Sequence, residues 1–109
     1  VKDNFTIMKE EPFGPLVPIL TFKTFDEVIE RANDNDLGLC SYLYTNSMDK
    51  AHIGSEKLES GCVAVNTGVV AIAEAPFGGI KQTGYGREGG SGAIKDYLNV
   101  KYTHMGLKI

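Results

Sequence analysis

Residues 16–65 read LVPILTFKTFDEVIERANDNDLGLCSYLYTNSMDKAHIGSEKLESGCVAV, and the alternation of apolar runs with helical periods in this stretch decides the fold class. Leu16 to Phe22 is nearly continuously apolar. That suits a strand buried on both faces, with Pro18 steering it toward an edge or a strand start. Thr24-Phe25-Asp26-Glu27 fits a capping box, in which the Thr24 hydroxyl accepts from the Glu27 N–H while the Glu27 carboxylate reaches back. Phe25, Val28, Ile29 and Ala32 follow at the spacing of one helix face. Asn33-Asp34-Asn35-Asp36 ends that helix, and Gly38 supplies a turn. Leu39 to Tyr44 is a second apolar run. Asn46 or Ser47 can cap a second helix over about Met48 to Leu58, with a weaker apolar face of Met48, Ala51 and Leu58. Gly61 closes it, and Cys62 to Val65 is a short β-branched run. The order is β-α-β-α-β. Crossover helices between apolar strands predict parallel pairing with right-handed connections, hence an α/β sheet covered on both faces.

Downstream, residues 67–92 form a long Gly-rich loop, of a length that is functional or disordered in most domains. Ser91 to Leu98 fits a short helix with Ile94, Tyr97 and Leu98 inward. Val100-Lys101-Tyr102-Thr103 alternates apolar with polar, as a half-buried strand does. Nothing earlier in the chain awaits it, and a strand left over at a terminus is often paired on another subunit.

The chain has 109 residues, a formal charge of −3 and a pI near 5.3. This length carries one domain with one modest core. The acidic balance argues against a nucleic-acid surface, which needs clustered Lys and Arg. No apolar run is long enough to cross a bilayer, and the N-terminal residues lack a secretory pattern. The expectation is a cytoplasmic protein without membrane or nucleic-acid partners. The first residue is Val1, which fits a processed product or a piece of something longer. Cys40 and Cys62 lie in apolar runs without ligand-spaced histidines, and read as buried reduced thiols; His52 and His104 are isolated, so no metal site is expected.

Eight of the thirteen glycines fall between residues 68 and 92. Gly84-Tyr85-Gly86-Arg87-Glu88-Gly89 satisfies the G-x-G-x-x-G spacing of a dinucleotide fingerprint, but no apolar strand precedes it and no acidic residue lies about twenty positions on. Glycines that permit positive φ and close backbone packing explain it better. Glu10-Glu11-Pro12-Phe13-Gly14-Pro15 holds one aromatic in a stiff turn, which serves either packing or a ligand. Pro76-Phe77-Gly78-Gly79 repeats the device. Asn66 opens the loop as an Asx-type turn, and Lys81, Arg87 and Lys95 read as solvated or ion-paired. No Ser-His-Asp or Cys-His arrangement can be assembled.

These residues carry a resemblance. Glu11-Pro12-Phe13-Gly14-Pro15 is similar to the E-x-F-G-P motif of the aldehyde dehydrogenase superfamily. Asn66, then Pro76-Phe77-Gly78-Gly79-Ile80-Lys81 and Thr83-Gly84-Tyr85-Gly86-Arg87-Glu88, resembles that family's N…PFGGxKxSGxGRE stretch, with Thr83 in place of Ser. The resemblance runs from about residue 3 to residue 107, and covers the family's C-terminal portion. Asn66-Thr67-Gly68, Gly86-Arg87-Glu88-Gly89-Gly90 and Tyr97-Leu98-Asn99-Val100-Lys101-Tyr102 are similar in wording to succinate-semialdehyde dehydrogenases and their relatives.

The resemblance implies an enzyme that oxidises an aldehyde with NAD or NADP and water, through a thioester on a catalytic Cys, with a Glu activating the water. In the family both groups lie upstream of this stretch, and neither Cys40 nor Cys62 matches the nucleophile's motif. By resemblance, Glu11 binds the nicotinamide ribose hydroxyls, a cis-diol that a carboxylate can engage with two charge-assisted bonds. Phe13 lies beside the nicotinamide, and Phe77 lines the aldehyde tunnel. Ala71 falls at the tunnel mouth, where many succinate-semialdehyde enzymes carry a Ser that holds the substrate carboxylate. The implied organisation is a C-terminal part of a catalytic domain over 1–98 and an oligomerisation strand over 99–109 pairing across a dimer or tetramer. The chain alone is expected to be inert. Two other readings compete: a module that acts only in assembly through its last strand, and an independent flavodoxin-like domain binding phosphate at Gly84–Gly89.

Overall fold

Local sequence signals set the first helix in the computed structural model, which describes residues 1–108. Helix α1 spans Phe25–Asn33. The Thr24 hydroxyl accepts from the Glu27 N–H at 3.2 Å. The reciprocal half of the box lands one residue early, with Glu27 accepting from the Lys23 N–H at 2.8 Å. Arg31, in the last turn, donates to Glu27 at 3.2 Å, to the Thr21 carbonyl at 2.8 Å and to Asp3 at 2.8 Å, so it ties the helix to the segments before it. Of the expected apolar face, Ile29 is buried and Phe25 and Val28 are half-buried, whereas Ala32 is exposed.

Strand β1 is Leu37–Gly38 and β2 is Cys40–Leu43. Helix α2 follows over Met48–Lys57, with the Ser47 hydroxyl accepting from the Lys50 N–H at 3.3 Å. Its contact residue is Gly54, where an added Cβ would stand 2.5 Å from Leu43 and 3.4 Å from Phe25. The missing side chain brings α1, α2 and β2 together. The expected α2 face is corrected at Met48, which is exposed, while Ala51 and Leu58 are half-buried. Strand β3, Cys62–Val65, lies parallel to β2 with Cys40 opposite Cys62 and Leu43 opposite Val65. This β2-α2-β3 unit is the parallel crossover that the apolar runs predict.

The rest departs from the expected sheet. A short β4, Ile80–Lys81, emerges from the Gly-rich loop and pairs antiparallel with β1, Leu37 opposite Lys81. The architecture is α/β, but it consists of two two-stranded sheets. Leu16–Phe22 joins no ladder, and Leu16, Val17, Ile19 and Phe22 are exposed. Its carbonyls are met at Thr21 by Arg31 and at Ile19 by the Val1 ammonium, neither of which is a strand. A 3-10 helix over Ala93–Tyr97 replaces the expected inward-facing helix; Ile94, Tyr97 and Leu98 all face out. Val100–Thr103 has no partner strand among the described residues, and Val100 and Tyr102 are exposed. Ile109, the last residue of the expected terminal strand, lies outside the described residues.

These corrections have one cause. The apolar runs are written for covering surfaces that the described residues do not supply. Only Ile29 and Ala64 are buried among the described apolar residues. The radius of gyration is 19.6 Å, against about 13 Å for a compact chain of this length. The expectation of one modest core is therefore revised to a thin layer around β2, β3, α1 and α2. No described helix is long and apolar enough to cross a membrane.

The Lys23 N–H holds the Glu27 carboxyl below the usual carboxylate range, against a smaller opposing effect of burial, with Thr24 and Arg31 adding to the lowering. A carboxyl lowered in the folded state adds stability above its unfolded value and loses it as pH falls through the folded value. Acid titration followed by circular dichroism should show this contribution fading below the ordinary Glu range, and Glu27→Gln should remove it. Thr24→Ala should cost about 1 kcal/mol at neutral pH by loss of the cap.

Candidate functional site

The Gly-rich loop meets the β2–β3 pair at the start of β3. Alternation along the strands puts Leu43 on the α2 side and Cys40, Cys62, Tyr42 and Ala64 on the other. The loop approaches the chain just before β3 at Gly61, where an added Cβ would lie 1.8 Å from the Gly78 carbonyl oxygen. Backbone rests on backbone there, which only glycine allows. The Cys62 thiol donates to the same carbonyl at 3.7 Å.

Phe77 is held by a two-way bridge to Glu88, its N–H donating at 2.7 Å and its carbonyl accepting at 2.9 Å. The Arg87 guanidinium donates to the carbonyls of Gly79 at 2.8 Å and Gly86 at 2.7 Å, so it is a brace inside the loop. Gly89 and Gly90 take positive φ, at 70° and 63°, which turns the chain back for the Gly90 N–H to reach Ala73. The hydroxyl of Thr83 accepts from the Gly38 N–H at 2.8 Å and so fastens the loop to β1.

Two further residues hold the frame. Asn66 sits at φ 57°, and its side-chain amide accepts from the Thr45 N–H and donates to the Thr45 carbonyl, both at 2.9 Å. It acts as one more rung after β3, bonding across to the end of β2 in place of the expected local Asx turn. Lys81, at φ 56°, donates to the carbonyls of Asn33 and Asn35 at 2.9 Å and pairs with Glu59. It is ion-paired, as its sequence context suggests.

Three connected grooves result. Glu11 lines one of about 640 Å³, together with Met8, Pro18, Leu39, Cys40 and Thr83. Ala71 and half-buried Phe77 line another of about 350 Å³ with Ile72, Ala73, Glu88 and Gly89. A third, of about 450 Å³, contains Leu39 and Thr83 from the first and Phe77 from the second. The structure thus brings Ala71 and Phe77 together and sets Glu11 apart, with Leu39 on the wall between. Phe13 lines none of these grooves and is 95% exposed. Leu39 carried no sequence signal for this position; it lies in an apolar run where any member could face either way. Among the described residues no cluster of three or more His, Cys, Asp or Glu is placed to hold a metal.

A carboxylate at a groove mouth can accept hydrogen bonds from a diol, and an aromatic facing a small residue can form one wall of an apolar passage. The aldehyde dehydrogenase family model matches residues 1–103. A succinate-semialdehyde dehydrogenase [NADP(+)] of Escherichia coli is 46% identical over 107 residues, which is 98% of this chain and 22% of that protein. A mitochondrial succinate-semialdehyde dehydrogenase of Arabidopsis thaliana is 45% identical over 106 residues, 97% of this chain and 20% of that protein. Among solved structures, the NAD+ complex of an aldehyde dehydrogenase from Bacillus cereus superposes with a TM-score of 0.89 at 46% identity, over 93% of this chain and 21% of that one. The chain therefore spans about a fifth of the length of the relatives it matches.

Gly61→Ala should cost about 1–3 kcal/mol, the usual range for forcing atoms into a filled contact. Gly68→Ala is the control, since its Cβ would meet nothing nearer than the Tyr44 hydroxyl at 4.0 Å. Urea midpoints of the two variants should separate accordingly.

Proposed function

The chain belongs to the aldehyde dehydrogenase family, and from that premise we propose that it is the C-terminal portion of an NAD(P)-dependent enzyme that oxidises an aldehyde to a carboxylic acid. The observation that carries the reading is the placement of Glu11 in one groove and Phe77 with Ala71 in the next, joined through Leu39. Glu11 is exposed at its groove, which leaves both carboxylate oxygens free to accept from the ribose diol of the dinucleotide. When bound, the dinucleotide supplies a hydride acceptor. Phe13, displayed by its Pro-flanked turn, limits the motion of the nicotinamide ring, and Phe77 and Ala71 form part of the aldehyde passage.

The nucleophilic Cys and the general-base Glu belong to parts of the family's chain outside this stretch, so the residues present bind and orient. Residues 1–98 belong with the catalytic domain, and the segment from Asn99 on joins subunits of a dimer or tetramer. Val100, Tyr102, Met105 and Leu107 are all exposed on that segment, which supports a partner for it. The names of the relatives support semialdehydes as the first substrates to assay, with NAD or NADP as cofactor. Ala71 has no hydroxyl, so a second substrate carboxylate takes its hydrogen bonds from other residues.

In the enzyme carrying this chain, Glu11→Gln should raise the KM for the dinucleotide by about tenfold or more, the loss of one charge-assisted interaction. The KM for the aldehyde should be unchanged. An unaltered dinucleotide KM would remove Glu11 from the site. The 109-residue chain alone should form no NADH or NADPH with a panel of semialdehydes and simple aldehydes; turnover by it would overturn the reading. Truncation after Leu98 should lower the oligomeric mass in solution, and an unchanged mass would show that the strand is not the subunit contact.

A further inference from the structure

Cys40 and Cys62 hold equivalent places on parallel strands, opposite each other in the β2–β3 register. Residues paired this way share a face and sit about 4.8 Å apart across the ladder. That separation falls within the roughly 4.4–6.8 Å between Cα atoms that a disulfide spans. Both thiols are free and half-buried. Cys40 also lines the open groove that contains Glu11, so a small solute can reach it. Neither thiol takes part in the function proposed above, and the inference does not depend on it.

We propose that Cys40 and Cys62 form a cross-strand dithiol, a modification site that peroxides close reversibly to a disulfide. One thiolate takes an oxygen from the peroxide, becoming a sulfenic acid as water leaves. The second thiol then displaces that oxygen as water, and the Sγ–Sγ bond forms. In sum two S–H bonds are lost, one S–S bond is gained, and the peroxide is reduced to two waters. Burial pushes the Cys40 thiol up, with Cys62 beside it adding to the shift. Cys40 is therefore a slow nucleophile toward reagents in solution, and its neighbour reacts with it through proximity.

Closure has a structural consequence. The Cys62 S–H that donates to the Gly78 carbonyl is consumed. The loop carrying Phe77 then loses one of its ties to β3, while the contact at Gly61 remains.

The test uses the protein that carries this chain, reduced, freed of thiol and treated with hydrogen peroxide. Free thiols are alkylated and the protein is digested with trypsin without reductant. Lys50 and Lys57 lie between the two cysteines, so a linked pair of peptides is diagnostic. The expected product is a Cys40–Cys62 peptide pair, lighter by two hydrogens than the two thiol peptides and separated by dithiothreitol. Phenylarsine oxide, which bridges paired thiols, should protect both cysteines from alkylation in the wild type, and Cys40→Ser should abolish protection of Cys62. Hydrogen exchange near Gly78 should be faster in the oxidised form. The proposal is overturned if peroxide takes each cysteine separately to sulfinic or sulfonic acid. It is equally overturned if these cysteines link only between chains, or if the arsenical protects neither.

Discussion

Backbone meets backbone where Gly61 lies under the carbonyl of Gly78, and that approach seats the Gly-rich loop carrying Phe77 at the start of β3. A side chain at 61 would lift the loop off the sheet by about the width of a methyl group. With no side chain there, the loop settles onto β3, and Cys62, the next residue, can donate to the same carbonyl. Within the loop, Phe77 forms its two-way bridge with Glu88, and Arg87 closes the far side by gripping Gly79. Thr83 completes the fastening at Gly38. The constraint comes from excluded volume, with hydrogen bonds filling in around it.

The frame is held by polar groups at its corners more than by a core. Asn66 continues the ladder past Val65 with its own amide, Lys81 gathers the carbonyls that end α1, and Arg31 joins that helix to the segment before it. These side chains satisfy main-chain groups that would otherwise be left at the ends of short elements. Such an arrangement gives definite geometry with little burial, in keeping with only two buried apolar residues among those described.

What could be read from sequence divides along the same line. The caps at Thr24 and Ser47, the two helices and β3 depend on neighbours a few residues away, and their patterns were sufficient. Leu16–Phe22, Ile94, Tyr97 and Val100–Thr103 are apolar for the sake of surfaces not supplied by the described residues, so periodicity marked them as inward while the structure leaves them out. Pattern reports that a residue is suited to burial and is silent about what will bury it. At the candidate site, the resemblance points to Glu11, Phe77 and Ala71, but spacing along the chain does not say that Ala71 and Phe77 line one groove or that Leu39 lines two others. Phe13 sits in a stiff turn that serves either packing or a ligand by pattern alone, and that turn presents it outward. The Cys40–Cys62 pairing needed the register, which a one-residue slip would have destroyed.

The two sheets differ in how far along the chain their partners lie, and this orders their formation. β2 and β3 are joined through a single helix, and their contacts close a loop of modest length. β1 and β4 meet only after the whole of that unit and the Gly-rich loop have been laid down, with Leu37 opposite Lys81. Loop-closure entropy is lower for the first pairing. The parallel unit thus closes the shorter loop, and the antiparallel ribbon is the longer-range clasp laid over it.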